Sequence, residues 1–155
     1  MLELVSHSPA QTQSLGAQLA ALLQPGDVLG LQGELGAGKT QFVKGLARGL
    51  GVRESVHSPT FILANEYRSG RLPLFHVDAY RVASAGEAIG FGFEDYVNDF
   101  GVTAIEWAER IRAALPAEHL WIEFRHLGET ARGISMQAHG KRYAQLLDEL
   151  NVTGD

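Results

Sequence analysis

Residues 28–40, VLGLQGELGAGKT, constrain this chain more than any other segment. An apolar run, Val28 to Leu31, leads into Gly33-Glu34-Leu35-Gly36-Ala37-Gly38-Lys39-Thr40. That run fits the pattern G-x-x-x-x-G-K-[ST], with a strand expected before it and a helix after it. Glycines let the backbone turn tightly and aim its N–H groups inward. Those groups, with the positive end of the following helix, make a nest for phosphate oxygens. Gly33, Leu35, Gly36, Ala37 and Gly38 would form the nest, Lys39 would reach the β- and γ-phosphates, and the Thr40 hydroxyl would ligate Mg2+. Only three lysines occur in the chain, at 39, 44 and 141, and one of them fills the required position.

The rest of the chain alternates strands and helices around this loop. Leu2 to Val5 reads as a short strand, and Ser8-Pro9 opens a helix with apolar residues at Leu15, Leu19, Leu22 and Leu23. The helix after the loop carries Phe42, Val43, Leu46 and Leu50 on one face and stops between Gly49 and Gly51. Phe61 to Tyr67 and Leu72 to Asp78, around a turn at Arg68 to Arg71, read as a hairpin. Ser84 to Ile89 forms a short helix that Gly90 to Phe93 interrupts and Glu94 to Asn98 resumes. Val102 to Ile105 is a buried strand, and Ala108 to Leu115 is a helix closed by Pro116. Leu120 to Phe124 and Ile134 to Ala138 are strands around a turn, and Lys141 to Leu150 is an amphipathic helix. The expected fold is α/β and P-loop NTPase-like, in three layers, with a mostly parallel central sheet and one antiparallel hairpin. At 155 residues it fits one domain, 1–155.

Composition narrows the function classes. The chain contains no cysteine, which removes disulfides, zinc-thiolate sites and a cysteine nucleophile. A net charge of −5 argues against direct grip on a nucleic-acid backbone. No apolar segment is long enough to span a bilayer. MLELVSHSPAQ does not resemble a signal peptide, so the cytoplasm is the expected compartment.

A nucleoside triphosphate site also needs an acid on the metal side of the phosphates, from a strand exit. Asp78 closes LPLFHVD and Glu106 closes VTAIE. Ligands of open α/β sheets gather beyond the carboxyl ends of strands, so either acid could ligate or order Mg2+. His76 and Tyr80 share a strand face with Asp78, although a histidine there also suits the edge of a core. Thr60 lies in a loop, His57-Ser58-Pro59-Thr60, that a strand-initiating turn would also explain. No Asn-Lys-x-Asp element for reading guanine occurs, which leaves ATP as the expected nucleotide.

The runs GELGAGKT…FVKGLARGLG, SPTF, NEY, HVDAYR and IEW, in that order, resemble the TsaE (YjeE) family of small bacterial ATPases. The likeness covers most of residues 1–115. It implies ATP binding and hydrolysis with Mg2+, and support of the TsaB–TsaD pair in forming threonylcarbamoyladenosine in tRNAs that read codons starting with A. The tRNA would be met indirectly, through that complex. By this resemblance Lys39 contacts phosphates, Thr40 and Glu106 serve Mg2+, and Asp78 is a catalytic or metal-ordering acid. Thr60 sits in a switch-like loop, while His76, Tyr80 and Trp107 shape the site or a partner surface. Many members carry a second Thr after the P-loop threonine; Gln41 stands there and would serve the α-phosphate. Pro9 to Thr12 and the turn near Gly128 are the expected walls of the adenine pocket. Arg81, or a residue of the partner complex, is the candidate arginine finger. The competing readings are a small-molecule kinase, a nucleotide-gated binding module without useful catalysis and, disfavoured by charge, a direct tRNA binder.

Overall fold

The computed structural model describes residues 1–57, 64–82, 84–90, 92–97 and 100–153. Seven strands form one mixed sheet: β1 (Leu2–Ser6), β2 (Val28–Gly33), β3 (Ala64–Tyr67), β4 (Leu74–Asp78), β5 (Val102–Glu106), β6 (His119–His126) and β7 (Arg132–His139). Their spatial order is β1-β7-β6-β2-β5-β4-β3. Strand β2, which feeds the glycine loop, therefore lies at the centre between two parallel neighbours. Its side chains are buried on both faces, as a near-continuous apolar strand requires.

The sheet is less parallel than the sequence led us to expect. The β6–β2, β2–β5 and β5–β4 ladders are parallel, but β3–β4, β6–β7 and β1–β7 are antiparallel. The expected hairpin at β3–β4 is present. A second hairpin joins β6 to β7 across a tight turn, and β1 adds itself to the outer edge of β7. The Ala108–Leu115 helix is also corrected. It is a 3-10 segment, Ala108–Ala114, that breaks at Ile111. Trp107 before it is left-handed and offers no side-chain cap, and Pro116 forces Leu115 into extended backbone, so no room remains for stable α-turns.

Among the described residues four α-helices accompany the sheet: α1 (Pro9–Ala20), α2 (Lys39–Leu50), α3 (Ala85–Gly90) and α4 (Lys141–Thr153). One face of the sheet presents Leu29, Leu31, Leu74, Val102, Ala104, Leu120, Ile122 and Ile134. These pack with Leu19 of α1, Phe42 and Leu46 of α2, and Leu146 of α4. The other face presents Val28, Val77, Ile105 and Trp121 to Ala88 of α3, to Phe93 and to Ile111. Strand alternation thus sorts the apolar residues into two cores, one on each side.

Close contacts fix α1, α2 and α4 in place. Helices α1 and α2 cross so closely that a Cβ on Gly45 would lie 1.9 Å from the Gln13 carbonyl oxygen, and one on Gly16 2.3 Å from that of Phe42. Helix α4 is pinned to the start of β2. Arg142 pairs with Asp27 at 2.8 Å, and the Val28 N–H donates to the Tyr143 hydroxyl at 2.9 Å.

Candidate nucleotide site

Between β2 and α2 the chain turns twice through left-handed backbone, at Gly36 (φ 78°) and Gly38 (φ 109°), where a side chain would strain. The turn closes with the Ala37 N–H on the Glu34 carbonyl. Gly38 caps α2 and, as a glycine, brings no side-chain acceptor to the start of the helix. A helix N-terminus of this kind attracts anions.

Lys39 is the first residue of α2 and is 4% exposed. Its ammonium donates to the carbonyls of Gly33 and Glu34 and lies 3.7 Å from the centroid of the Trp107 ring. Burial pushes its pKa down, while the charges of Glu106, Glu109 and Asp78 pull it back up. Trp107 reaches this position from left-handed backbone (φ 59°), the only non-glycine residue with positive φ among the described residues. Such a conformation is costly for a bulky residue, and here it lays the indole against the lysine. Tyr80 packs on the same indole at 4.9 Å.

The next residue, Thr40, donates its hydroxyl to both oxygens of Glu106, at 2.9 and 3.1 Å. Glu106 is the last residue of β5 and is 3% exposed. Its Oε2 also meets Nε2 of the fully buried His76, at 2.5 Å. Asp78 ends β4 directly opposite Glu106 in the ladder. Its Oδ1 accepts from the Tyr80 N–H at 2.9 Å. Burial raises the Asp78 pKa above the usual carboxylate range and the Glu106 charge adds to this; the Tyr80 N–H, His76 and Lys39 oppose it.

A cavity of about 470 Å3 runs along the loop, a size suited to a small-molecule ligand. Leu35, Gly36, Ala37, Gly38, Lys39, Thr40 and Gln41 line its loop side; Asp78, Tyr80, Glu106 and Trp107 line another. Pro9 and Thr12 come from α1, which β1 positions through a 2.7 Å contact between the Ser6 and Thr12 hydroxyls. Glu129 and Thr130 come from the β6–β7 turn, and Arg132 from the first position of β7. Of the residues expected from sequence, Gly33 lies behind the loop, where its carbonyl holds Lys39, and is not in the wall. Gly128 is also outside the wall, and its carbonyl accepts from Arg132. Arg81 does not line the cavity either, and Thr60 falls outside the described residues. Gln41 lends its Oε1 to the amide of Gln13 at 2.7 Å.

The turn near Gly128 was expected as a wall, but its lining residues Glu129, Thr130 and Arg132 were not named, and no motif marks them. Arg132 fastens the turn to the loop by donating to the carbonyls of Gly128, Glu129, Ala131 and Gly36. The oxygen donors at the Thr40 end are all hard, which fits a magnesium-like cation and not a thiolate- or imidazole-seeking one. Among the described residues no cluster of three or more His, Asp or Glu could hold a metal unaided. A cation there would need oxygens from a ligand and water, as Mg2+ at phosphates does. Among the described residues no helix is long and apolar enough to cross a membrane.

Residues 6–134 match the family model described as threonylcarbamoyl adenosine biosynthesis protein TsaE. The tRNA threonylcarbamoyladenosine biosynthesis protein TsaE of Bacillus subtilis (strain 168) is 44% identical over 144 residues, which is 93% of this chain and 90% of that protein. Its namesake from Treponema pallidum (strain Nichols) is 45% identical over 132 residues, 85% of this chain and 97% of that one. The crystal structure of Bacillus subtilis YdiB superposes with a TM-score of 0.84 at 38% identity, covering 99% of this chain and 96% of that chain.

Proposed function

The chain belongs to the TsaE family, whose role is in tRNA threonylcarbamoyladenosine biosynthesis, and we propose that it serves there as a Mg2+-dependent ATPase assisting the TsaB–TsaD complex. The observation that carries this reading is the Thr40 hydroxyl on the Glu106 carboxylate, one residue beyond a buried lysine at a helix N-terminus. With its proton directed at Glu106, the Thr40 hydroxyl would meet a cation through its oxygen. The mixed sheet, with the glycine loop leaving its central strand, supports a P-loop NTPase-like fold.

In this mechanism the loop N–H groups and the start of α2 hold the β- and γ-phosphates. Lys39 exchanges the carbonyls of Gly33 and Glu34 for phosphate oxygens. Thr40 contributes its oxygen to Mg2+ and Glu106 orients that hydroxyl. Mg2+, when bound, supplies positive charge to the phosphate oxygens. Asp78, at the adjacent strand exit, orders the water that attacks the γ-phosphorus as the bond to the β–γ bridging oxygen breaks. Pro9, Thr12, Glu129 and Thr130 face the nucleoside end. Among the described residues the cavity wall offers one arginine, Arg132, and it is committed to backbone carbonyls. Hydrolysis is therefore slow alone and faster when the partner complex completes the site.

Calorimetric titration tests the nucleotide assignment. ATP with Mg2+ should bind the wild-type protein and not Lys39→Ala, and GTP should bind more weakly. Equal affinity for GTP, or undiminished binding by Lys39→Ala, would refute it.

A further inference from the structure

His76 lies in the middle of β4 with no exposed surface, two residues before Asp78. In the ladder it faces Ala104 while Asp78 faces Glu106, so its ring sits directly beneath the two acids. Its Nε2 is 2.5 Å from Glu106 Oε2, and its Nδ1 has no hydrogen-bond partner among the described residues. The Thr40 hydroxyl is directed at both Glu106 oxygens, which therefore act as acceptors, and the geometry makes Nε2 the donor to Oε2. The tautomer with an unprotonated Nδ1 leaves a lone pair unmatched rather than an N–H. Burying a titratable ring in an apolar strand for a single contact is costly unless that contact has a purpose.

We propose that His76 is a positioning residue that locks the Glu106 carboxylate in the orientation that receives the Thr40 hydroxyl. Without it, Glu106 has only Thr40 as a side-chain partner among the described residues, and its carboxylate is free to rotate about its last side-chain bond. The three side chains form a line, His76 to Glu106 to Thr40, in which the ring sets the acid and the acid sets the hydroxyl. The support is indirect, as is usual for partners one step removed from a cation. This inference rests on the proposed Mg2+-dependent nucleotide site.

The test compares His76→Leu, which removes the donor, with His76→Gln, whose amide nitrogen takes the place of Nε2. Each variant is first shown to be folded by circular dichroism. Binding of a fluorescent ADP analogue is then followed with and without Mg2+. His76→Leu should keep Mg2+-free affinity but need about 10- to 100-fold more Mg2+ for the tightening that the ion gives. His76→Gln should restore most of the response. An impairment shared equally by both variants, or a His76→Leu protein with wild-type Mg2+ dependence, overturns the inference while leaving the ATPase proposal standing. Wild-type protein whose nucleotide binding ignores Mg2+ sinks both. On the nucleotide-free protein, nitrogen-15 NMR should show a His76 Nε2 proton far downfield that moves on Glu106→Ala. An Nε2 without a proton, or one indifferent to Glu106→Ala, also refutes it.

Discussion

Replacing Gly45 by alanine probes the contact that holds α2 against α1. The added Cβ would stand 1.9 Å from the Gln13 carbonyl oxygen and 2.6 Å from its carbon, both backbone atoms that no rotamer change can move. Reaching even 3.0 Å takes a shift of about 1.1 Å between α1 and α2. That shift loosens Leu19 against Phe42 and Leu46, which are fully buried. Overpacking of this kind costs about 1–3 kcal/mol, and contact with rigid backbone puts Gly45→Ala at the upper end. Alanine recovers about 1 kcal/mol of helix propensity, leaving a net loss of about 1–2 kcal/mol. For a chain of 155 residues each kcal/mol moves Tm by roughly 3 °C, so Tm should fall by about 3–6 °C in a calorimetric scan. Gly86→Ala in α3 is the control, because its Cβ would meet nothing closer than 3.8 Å. It should be neutral or slightly stabilising. A Gly45→Ala protein as stable as wild type would refute the close-packing argument.

The remaining predictions concern the site and its anchors. Glu106→Ala should lower Mg2+-dependent hydrolysis about 10- to 100-fold, measured at saturating ATP; full activity would remove Glu106 from the metal assignment. Nucleotide binding should lift Lys39 off the Trp107 indole and change tryptophan fluorescence in a Trp121→Phe background, so an unchanged spectrum at saturating ATP contradicts that displacement. Tyr143→Phe strips the buried Val28 N–H of its acceptor and should cost about 1–3 kcal/mol in urea unfolding. Burial, partly offset by that N–H, pushes the Tyr143 pKa from 10.0 up to about 12. A raised pKa in the folded state means the tyrosine's contribution is complete below pH 10 and is lost as pH rises toward about 12. Alkaline destabilisation should therefore be shallower in Tyr143→Phe, and an identical pH profile would count against the assignment.

Much of the site was legible in the sequence because phosphate binding is a local backbone demand. Gly36 and Gly38 adopt positive φ within five residues of the end of β2, and such a turn has a compact signature. Asp78 and Glu106 were readable as strand exits, and the ladder sets them opposite each other. Contacts between segments were less readable. The sharing of a strand face by His76 and Asp78 was visible, but its bond to Glu106 depends on the β4–β5 register. The turn near Gly128 was readable as a wall, but which of its residues line the cavity, Glu129, Thr130 and Arg132, depends on the β6–β7 register. The placement of β1 beside β7 was hidden for the same reason: five residues of alternating burial do not name their neighbour. The short segment after Trp107 misled because apolar spacing suggested a helix, whereas its two ends dictated otherwise.

We propose that the loop, Thr40 and the strand-exit acids form an ATP-hydrolysing site that the partner complex completes. Steady-state phosphate release, measured with Mg2+ alone and again with purified TsaB–TsaD and tRNA, tests it most directly. The expected result is slow turnover by the isolated protein, severalfold faster turnover with the complex, and none in either setting for Lys39→Ala or Thr40→Ala. Equal rates with and without TsaB–TsaD, or turnover that survives loss of Lys39, would contradict it.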